Sequence, residues 1–91
     1  LPKTSANLIL FRQVIRSGTS IGANYREACE GESAKDFIHK LRIAKKEAKE
    51  THYWLDLLTR TNKSFEKELN MLSTEVTEFI KIFSKVSSKF K

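Results

Sequence analysis

A stripe of apolar and small side chains between Phe37 and Leu58 restricts the fold of this chain more than any other feature. The stripe repeats at alternating steps of four and three residues, which places its members on one face of a single long helix. Its members are Phe37, Leu41, Ala44, Ala48, Thr51, Leu55 and Leu58. Ser33 lies three residues before Asp36, so its hydroxyl is suited to cap the first turn. We therefore predict a central helix over about residues 33–60.

Two further stripes with the same seven-residue period flank the central helix. The segment before it carries Leu8, Phe11, Ile15, Gly18, Gly22, Tyr25 and Cys29, and the segment after it carries Phe65, Leu69, Leu72, Val76, Phe79, Phe83, Val86 and Phe90. These patterns predict helices over about residues 5–30 and 65–88. Because 91 residues leave room for one core, we expect a single helical-bundle domain over residues 1–91.

An antiparallel arrangement gives these stripes complementary partners. If the first two helices reverse direction near Glu32, Phe11 faces Thr51 and Gly18 faces Ala44. Large side chains then mostly meet small ones, as close packing requires. The sequence thus predicts an all-α, up-down antiparallel helical bundle with left-handed coiled-coil-like packing.

The first helix also carries a second stripe, so one partner helix cannot cover its whole apolar face. This second stripe consists of Leu10, Val14, Ser17, Ile21, Asn24 and Ala28. Gly18 and Gly22 each cost about 1 kcal/mol of helix propensity, which favours either close approach of another backbone or a bend. The surplus of apolar surface predicts a fourth helix or a self-association surface.

The formal net charge of +6 favours an anionic partner without identifying it. Basic side chains gather on the central helix, at Lys35, Lys40, Arg42, Lys45, Lys46 and Lys49. With Tyr53 and Trp54 nearby, they form a candidate surface for binding RNA or DNA. In the alternative hypothesis the charged residues only contact solvent. The exposed apolar residues then form the binding surface of a scaffold that binds only protein.

The predicted register also brings charged residues of the first two helices together. It places Arg16 opposite Glu47 and Arg12 opposite Glu50. We expect these residues to form interhelical ion pairs that are partly shielded from water, and that fix the register more than they stabilise the fold.

Signals for catalysis and for metal binding are weak. Asp36 and His39 form a single copy of a spacing that helical di-metal sites use twice. A Cys29–His39 nucleophile pair has no evident orienting group or oxyanion hole. We therefore predict no enzyme activity, no metal and no cofactor.

The single cysteine, Cys29, falls on an apolar stripe and is predicted to be a buried, inert thiol. It rules out an internal disulfide and fits a reducing compartment. The sequence has no run of about eighteen apolar residues and no signal peptide at its ends. We therefore expect a cytoplasmic protein.

Two separated motifs resemble one known family. The first is RSGTSIGANYREA, which begins at Arg16, and the second is DFIHKLRIA, which begins at Asp36 and is followed by EAKET from Glu47 and by Trp54 and Leu55. These residues resemble the four-helix-bundle proteins first found encoded in intervening sequences of bacterial 23S ribosomal RNA genes. The same family includes the accessory variability protein of diversity-generating retroelements.

The resemblance implies a four-helix bundle that assembles as a homopentamer, and most members have no assigned activity. For the retroelement member it implies a basic surface that binds nucleic acid, and a reverse transcriptase partner. The first helix of this chain resembles the second helix of the family, so we expect that the family's first helix is missing here.

The family's characteristic polar positions correspond to Ser20, Asn24, Glu27, Glu47 and Glu50, which together with Arg12 and Arg16 make up a predicted structural polar network. We expect a non-enzymatic, oligomeric helical-bundle protein that associates with nucleic acid or a ribonucleoprotein.

Overall fold

The computed structural model describes residues 1–89, which form three α-helices joined by short connections. Helix α1 is Ser5–Cys29, α2 is Ala34–Thr61 and α3 is Glu66–Ser88, with a single 3-10 turn at Lys63–Phe65 before α3. The described residues contain no strand, and the predicted helix boundaries agree to within one residue. Phe90, a predicted member of the last stripe, lies outside the described residues. None of the described helices combines the length and the hydropathy that crossing a membrane requires.

Short polar side chains cap the N-termini of the first two helices. Thr4 Oγ1 accepts a hydrogen bond from the backbone N–H of Asn7 at 3.1 Å, and Ser33 Oγ accepts one from Asp36 at 3.1 Å. Each bond satisfies a donor that the helix itself leaves unpaired. The predicted cap at Ser33 is therefore confirmed.

Two polar contacts show that α1 and α2 run antiparallel. The side-chain amides of Asn7 and Asn62 exchange two hydrogen bonds of 2.8 Å, and the hydroxyls of Ser17 and Thr51 are hydrogen-bonded at 2.7 Å. All four residues are buried, and the two amide oxygens depend on this pairing for their donors, whereas Ser17 and Thr51 also donate within their own helices. The start of α1 thus lies beside the end of α2.

The predicted pairing of Phe11 with Thr51 is wrong, because Ser17 occupies that place. Helix α1 turns its second stripe toward α2 and buries Ile21 and Ala28. Its first stripe is largely exposed, at Leu8, Phe11, Ile15, Tyr25 and Cys29. The prediction matched large apolar residues with small ones. It did not consider the hydrogen bonds that join Asn7 to Asn62 and Ser17 to Thr51.

Small residues of α2 form the centre of the core. Ala44 and Ala48 are both 0% exposed, which confirms their predicted place. The surrounding core residues are Ile21, Leu41, Leu55, Leu58, Leu69, Val76 and Phe83. Since they come from all three helices, α2 holds α1 and α3 together through its own apolar face.

Helix α3 covers the other side of α2 with part of its predicted stripe. Leu69, Val76 and Phe83 are buried, whereas Leu72 and Phe79 are 47% and 45% exposed. The Cα atoms of α1 and α3 stay more than 8 Å apart throughout the described residues. The backbones of the two outer helices therefore leave a gap between them, which the rings of Tyr25 and Phe83 bridge with their centroids 6.0 Å apart.

An open apolar groove fills this gap, and we refer to it as the α1–α3 groove. Its volume is about 510 Å³, and its lining consists of Gly18, Ile21, Gly22, Tyr25, Phe79, Ile82 and Phe83. A Cβ atom added at Gly18 or Gly22 would meet nothing within 4 Å. The predicted pairing of Gly18 with Ala44 is therefore wrong, and neither glycine is in close contact with another backbone, which was one of the two alternatives for them.

Cys29 is exposed, which contradicts its predicted burial. Ala28 takes the buried position one residue earlier and is 2% exposed. The difference follows from the rotation of α1, which presents its second stripe to α2 and turns the first stripe outward.

Substituting leucine for Ala48 should destabilise the protein. Because Ala48 is fully enclosed, the extra methylene groups must displace its neighbours, at a typical cost of about 1–3 kcal/mol. Urea unfolding followed by circular dichroism would measure the change. Ala23→Leu, on an exposed position of α1, is the matched control and should change stability by less than about 0.5 kcal/mol. Equal unfolding midpoints for the two variants would contradict the packing.

Candidate nucleic-acid interface

The outward face of α2 carries a straight row of cations. Lys35, Arg42, Lys46 and Lys49 follow one another at steps of seven, four and three residues, which places them on one line along the helix. All four are exposed, on the side opposite the buried alanines. We refer to these four residues as the α2 basic stripe.

Two of the six predicted cations lie off this stripe. Lys40 lies on the flank that faces α1, where its Nζ atom is 3.5 Å from Oε2 of Glu27. Lys45 is partly buried on the opposite flank. The structure therefore brings four of the candidate residues into one line and separates Lys40 and Lys45 from them.

The charge of the α2 basic stripe is not neutralised by the protein. Within residues 1–89, none of its four cations forms an ion pair. The neighbouring carboxylates on the α1 side, Glu47 and Glu50, are both bound by Arg16. The positive charge of the stripe is thus available to an external anion.

Arg16 makes three side-chain contacts at the α1–α2 boundary. Its Nη1 atom lies 3.4 Å from Glu47 Oε2, its Nη2 atom contacts Glu50 Oε1, and its Nε atom donates to Gln13 Oε1 at 3.0 Å. Trp54 Nε1 donates to the same oxygen of Glu50 at 3.2 Å. The side chain of Arg16 is 49% exposed and that of Glu47 is 13% exposed, which agrees with the predicted, partly shielded pair.

The second predicted pair, between Arg12 and Glu50, does not form. Glu50 contacts Arg16 instead, and Arg12 is exposed without an ion pair in the described part of the chain. Both this error and the pairing error at Thr51 arise because α1 is both rotated and shifted along α2 relative to the prediction. Ser17 lies where Phe11 was expected, six residues or about 1.7 helical turns away.

The remaining residues of the predicted polar network make separate, local contacts. Asn24 Nδ2 donates to the carbonyl oxygen and the hydroxyl of Ser20 at 2.9 and 3.1 Å, within α1. Glu27 pairs with Lys40 across the α1–α2 boundary. The predicted residues therefore form a cluster around Arg16 and two further contacts, rather than one continuous network.

The polar pairs between α1 and α2 were not predicted from the sequence; they involve Asn7, Ser17, Thr51 and Asn62. Ser17 and Thr51 counted there only as small members of apolar stripes. A usable signal was present, because a polar side chain at a core position requires a hydrogen-bond partner. Matching Ser17 with Thr51 selects the observed register.

Of the groups considered for catalysis, His39 lies on the line of the α2 basic stripe and shares an open pocket with Lys35 and Arg42. The described residues contain no group of three or more His, Cys, Asp or Glu side chains that could hold a metal ion. At the end of α1, the neighbouring Cys29 raises the pKa of the Tyr25 hydroxyl above its usual value, first through a side-chain hydrogen bond and then through its electrostatic effect. This pair borders the α1–α3 groove, since Tyr25 lines it.

Three packed helices, of which α1 and α2 run antiparallel, define a small all-helical protein with two separate surfaces, an exposed basic face and an open apolar groove. The family model described as 23S rRNA-intervening sequence protein matches residues 1–85. This chain belongs to that family. The earlier resemblance, drawn from the motifs of α1 and α2, is thereby confirmed.

A solved structure supports the same assignment. It is a protein of unknown function from the S23 ribosomal protein family of Bacteroides thetaiotaomicron, and its sequence is 45% identical to this chain. The TM-score is 0.83, and the match covers 88% of this chain and 71% of the other. A search of curated proteins gives no match.

Replacing Arg16 with glutamine should cost more stability than the same change at Arg12. Partly exposed ion pairs contribute about 0.2–1 kcal/mol, and Arg16 contacts two carboxylates whereas Arg12 contacts none in the described residues. Urea unfolding of Arg16→Gln and Arg12→Gln at low and high salt would measure the difference. It should shrink as salt is added. A larger loss for Arg12→Gln would contradict the observed register.

Proposed function

We propose that this protein is a non-enzymatic, nucleic-acid-associating helical bundle that contacts a phosphate backbone through the α2 basic stripe. The observation that supports this most directly is the line of four exposed cations without an ion pair among the described residues. Lysine and arginine contacts to phosphates release condensed counterions, which favours binding at moderate salt. The net charge of +6 adds long-range attraction.

The geometry of the stripe favours contact with the backbone over recognition of base sequence. Three of its four cations are lysines, and a lysine contacts phosphate as a point charge. The stripe contains no Asn or Gln, the residues that read adenine edges in the major groove. We therefore expect binding with little dependence on sequence.

Neutralising two stripe lysines should weaken binding and flatten its salt dependence. In Lys46→Gln/Lys49→Gln, the slope of log K against log salt should decrease in magnitude by about one per lysine removed. Fluorescence anisotropy of labelled RNA and DNA across a salt series would measure the slope. Far-UV circular dichroism would check that the variant folds.

The matched control is Lys67→Gln/Lys85→Gln, which removes the same charge from exposed positions of α3. Neither lysine forms an ion pair within residues 1–89. The control should keep the original slope. Equal losses in the two variants would mean that only net charge matters, and a wild-type affinity independent of salt would contradict a phosphate-driven mode.

We also propose that an apolar helix lies in the α1–α3 groove, completing a four-helix bundle within a homo-oligomer such as a pentamer. The support is the exposed apolar surface of Leu72 and Phe79 together with the open space at Gly18 and Gly22. A backbone can approach closely where side chains are absent. In the protein-only scaffold hypothesis, this groove is the working surface and the basic stripe serves only solubility.

Leucine at Gly22 distinguishes a filled groove from an empty one. In the open groove the new Cβ meets nothing within 4 Å, and the substitution should gain about 1 kcal/mol of helix propensity. With a helix in the groove, it should clash, lower the melting temperature and dissociate the assembly. We expect the second outcome, measured by thermal unfolding and light scattering.

The control for this experiment is Ala23→Leu, at the neighbouring exposed position. It should leave both the mass and the melting temperature close to the wild-type values. A Gly22→Leu variant that is more stable and unchanged in mass would show that nothing occupies the groove.

A further inference from the structure

Tyr53 continues the line of the α2 basic stripe. It follows Lys49 by four residues, so its side chain leaves the helix on the same face. Tyr53 is 55% exposed although it is a large aromatic residue. The outward face of α2 thus presents a row of cations that ends in an aromatic ring.

A neighbouring side chain holds the ring of Tyr53. It makes an edge-on contact with Trp54, with ring centroids 5.0 Å apart and an interplanar angle of 64°. Trp54 is itself fixed by its hydrogen bond to Glu50. A ring that is already positioned loses less conformational entropy when a ligand stacks on it.

The carboxylates on either side of Tyr53 are already paired. Glu50, three residues before it, contacts Arg16, and Asp56, three residues after it, lies 3.1 Å from Nε of Arg60. These contacts reduce the repulsion that free carboxylates would exert on a phosphate near the ring. The position therefore suits an anionic ligand that also carries a flat apolar group.

We propose that the α2 basic stripe and Tyr53 bind single-stranded nucleic acid, with the cations following the backbone and one base stacking on Tyr53. This inference rests on the function proposed above and specifies its ligand. A single strand can turn a base face toward a protein ring, whereas the bases of a duplex are stacked on one another. From Lys35 to Tyr53 the helix spans about 27 Å, enough to follow several nucleotides of one strand.

The test compares Tyr53→Leu with Tyr53→Phe in the full chain. Leucine keeps apolar bulk and helix propensity but removes the ring, whereas phenylalanine keeps the ring and removes only the hydroxyl. The probes are labelled oligo(dT) and oligo(rU) of about 16 nucleotides, a length within the range of known single-strand sites. A DNA duplex and an RNA duplex of equal length serve as comparisons.

The wild-type protein should prefer the single strands to the duplexes. Loss of a stacked base should reduce the single-strand affinity of Tyr53→Leu by about 5- to 150-fold, while Tyr53→Phe stays within about twofold. Duplex affinity should be unchanged in both. The salt slope should also be unchanged, because neither substitution removes a charge.

Three other results would overturn the inference. If Tyr53→Leu binds single strands like the wild type while Lys46→Gln/Lys49→Gln loses affinity, the stripe binds nucleic acid without stacking, and the proposed function still stands. If the duplexes bind more tightly than the single strands, the ligand class is wrong. If the wild-type protein binds none of the four probes, both this inference and the proposed function fail.

Discussion

Four buried polar side chains decide how the helices of this protein meet. Asn7 pairs with Asn62, and Ser17 pairs with Thr51, at positions enclosed by the core. A register that separated the two amides would take from each buried Asn oxygen the donor that it has here, at about 1–3 kcal/mol for each unpaired group. Ser17 and Thr51 also donate to the carbonyl oxygens of Gln13 and Glu47 in their own helices, so their contact adds to the register without being needed to pair either donor. Both stripes of α1 carry apolar residues, and the polar pairs favour the face that packs on α2.

This constraint also explains which features could be predicted from the sequence. The helices and the buried Ala44 and Ala48 follow from local periodicity and capping, which neighbouring residues alone encode. The orientation of α1 does not follow from local sequence, because α1 has two stripes of equal period. Contacts between α1 and α2 decide which stripe is buried. The candidate cations could be predicted as a group. The ion pair between Lys40 and Glu27 could not be predicted, because it depends on the register of α1 on α2.

The two surfaces left by this packing differ in their physics and lie on different sides of α2. The basic stripe attracts anions over roughly a Debye length, about 10 Å at moderate salt, and this attraction weakens as salt is added. The α1–α3 groove binds a partner only in direct contact, because its contribution comes from removing apolar area from water. A ligand on one surface therefore leaves the other accessible. Several copies joined through their grooves would also combine their stripes into one larger positive surface.

The position of α1 also shapes the outward face of α2, although α1 does not form part of it. Arg16 binds Glu47 and Glu50, so two carboxylates that adjoin the stripe no longer offset its charge. Glu50 in turn holds Trp54, against which the ring of Tyr53 rests. Since the pairs of Arg16 are partly exposed, they add little to stability. Their main effect is to set the charge and the aromatic geometry that an approaching ligand meets.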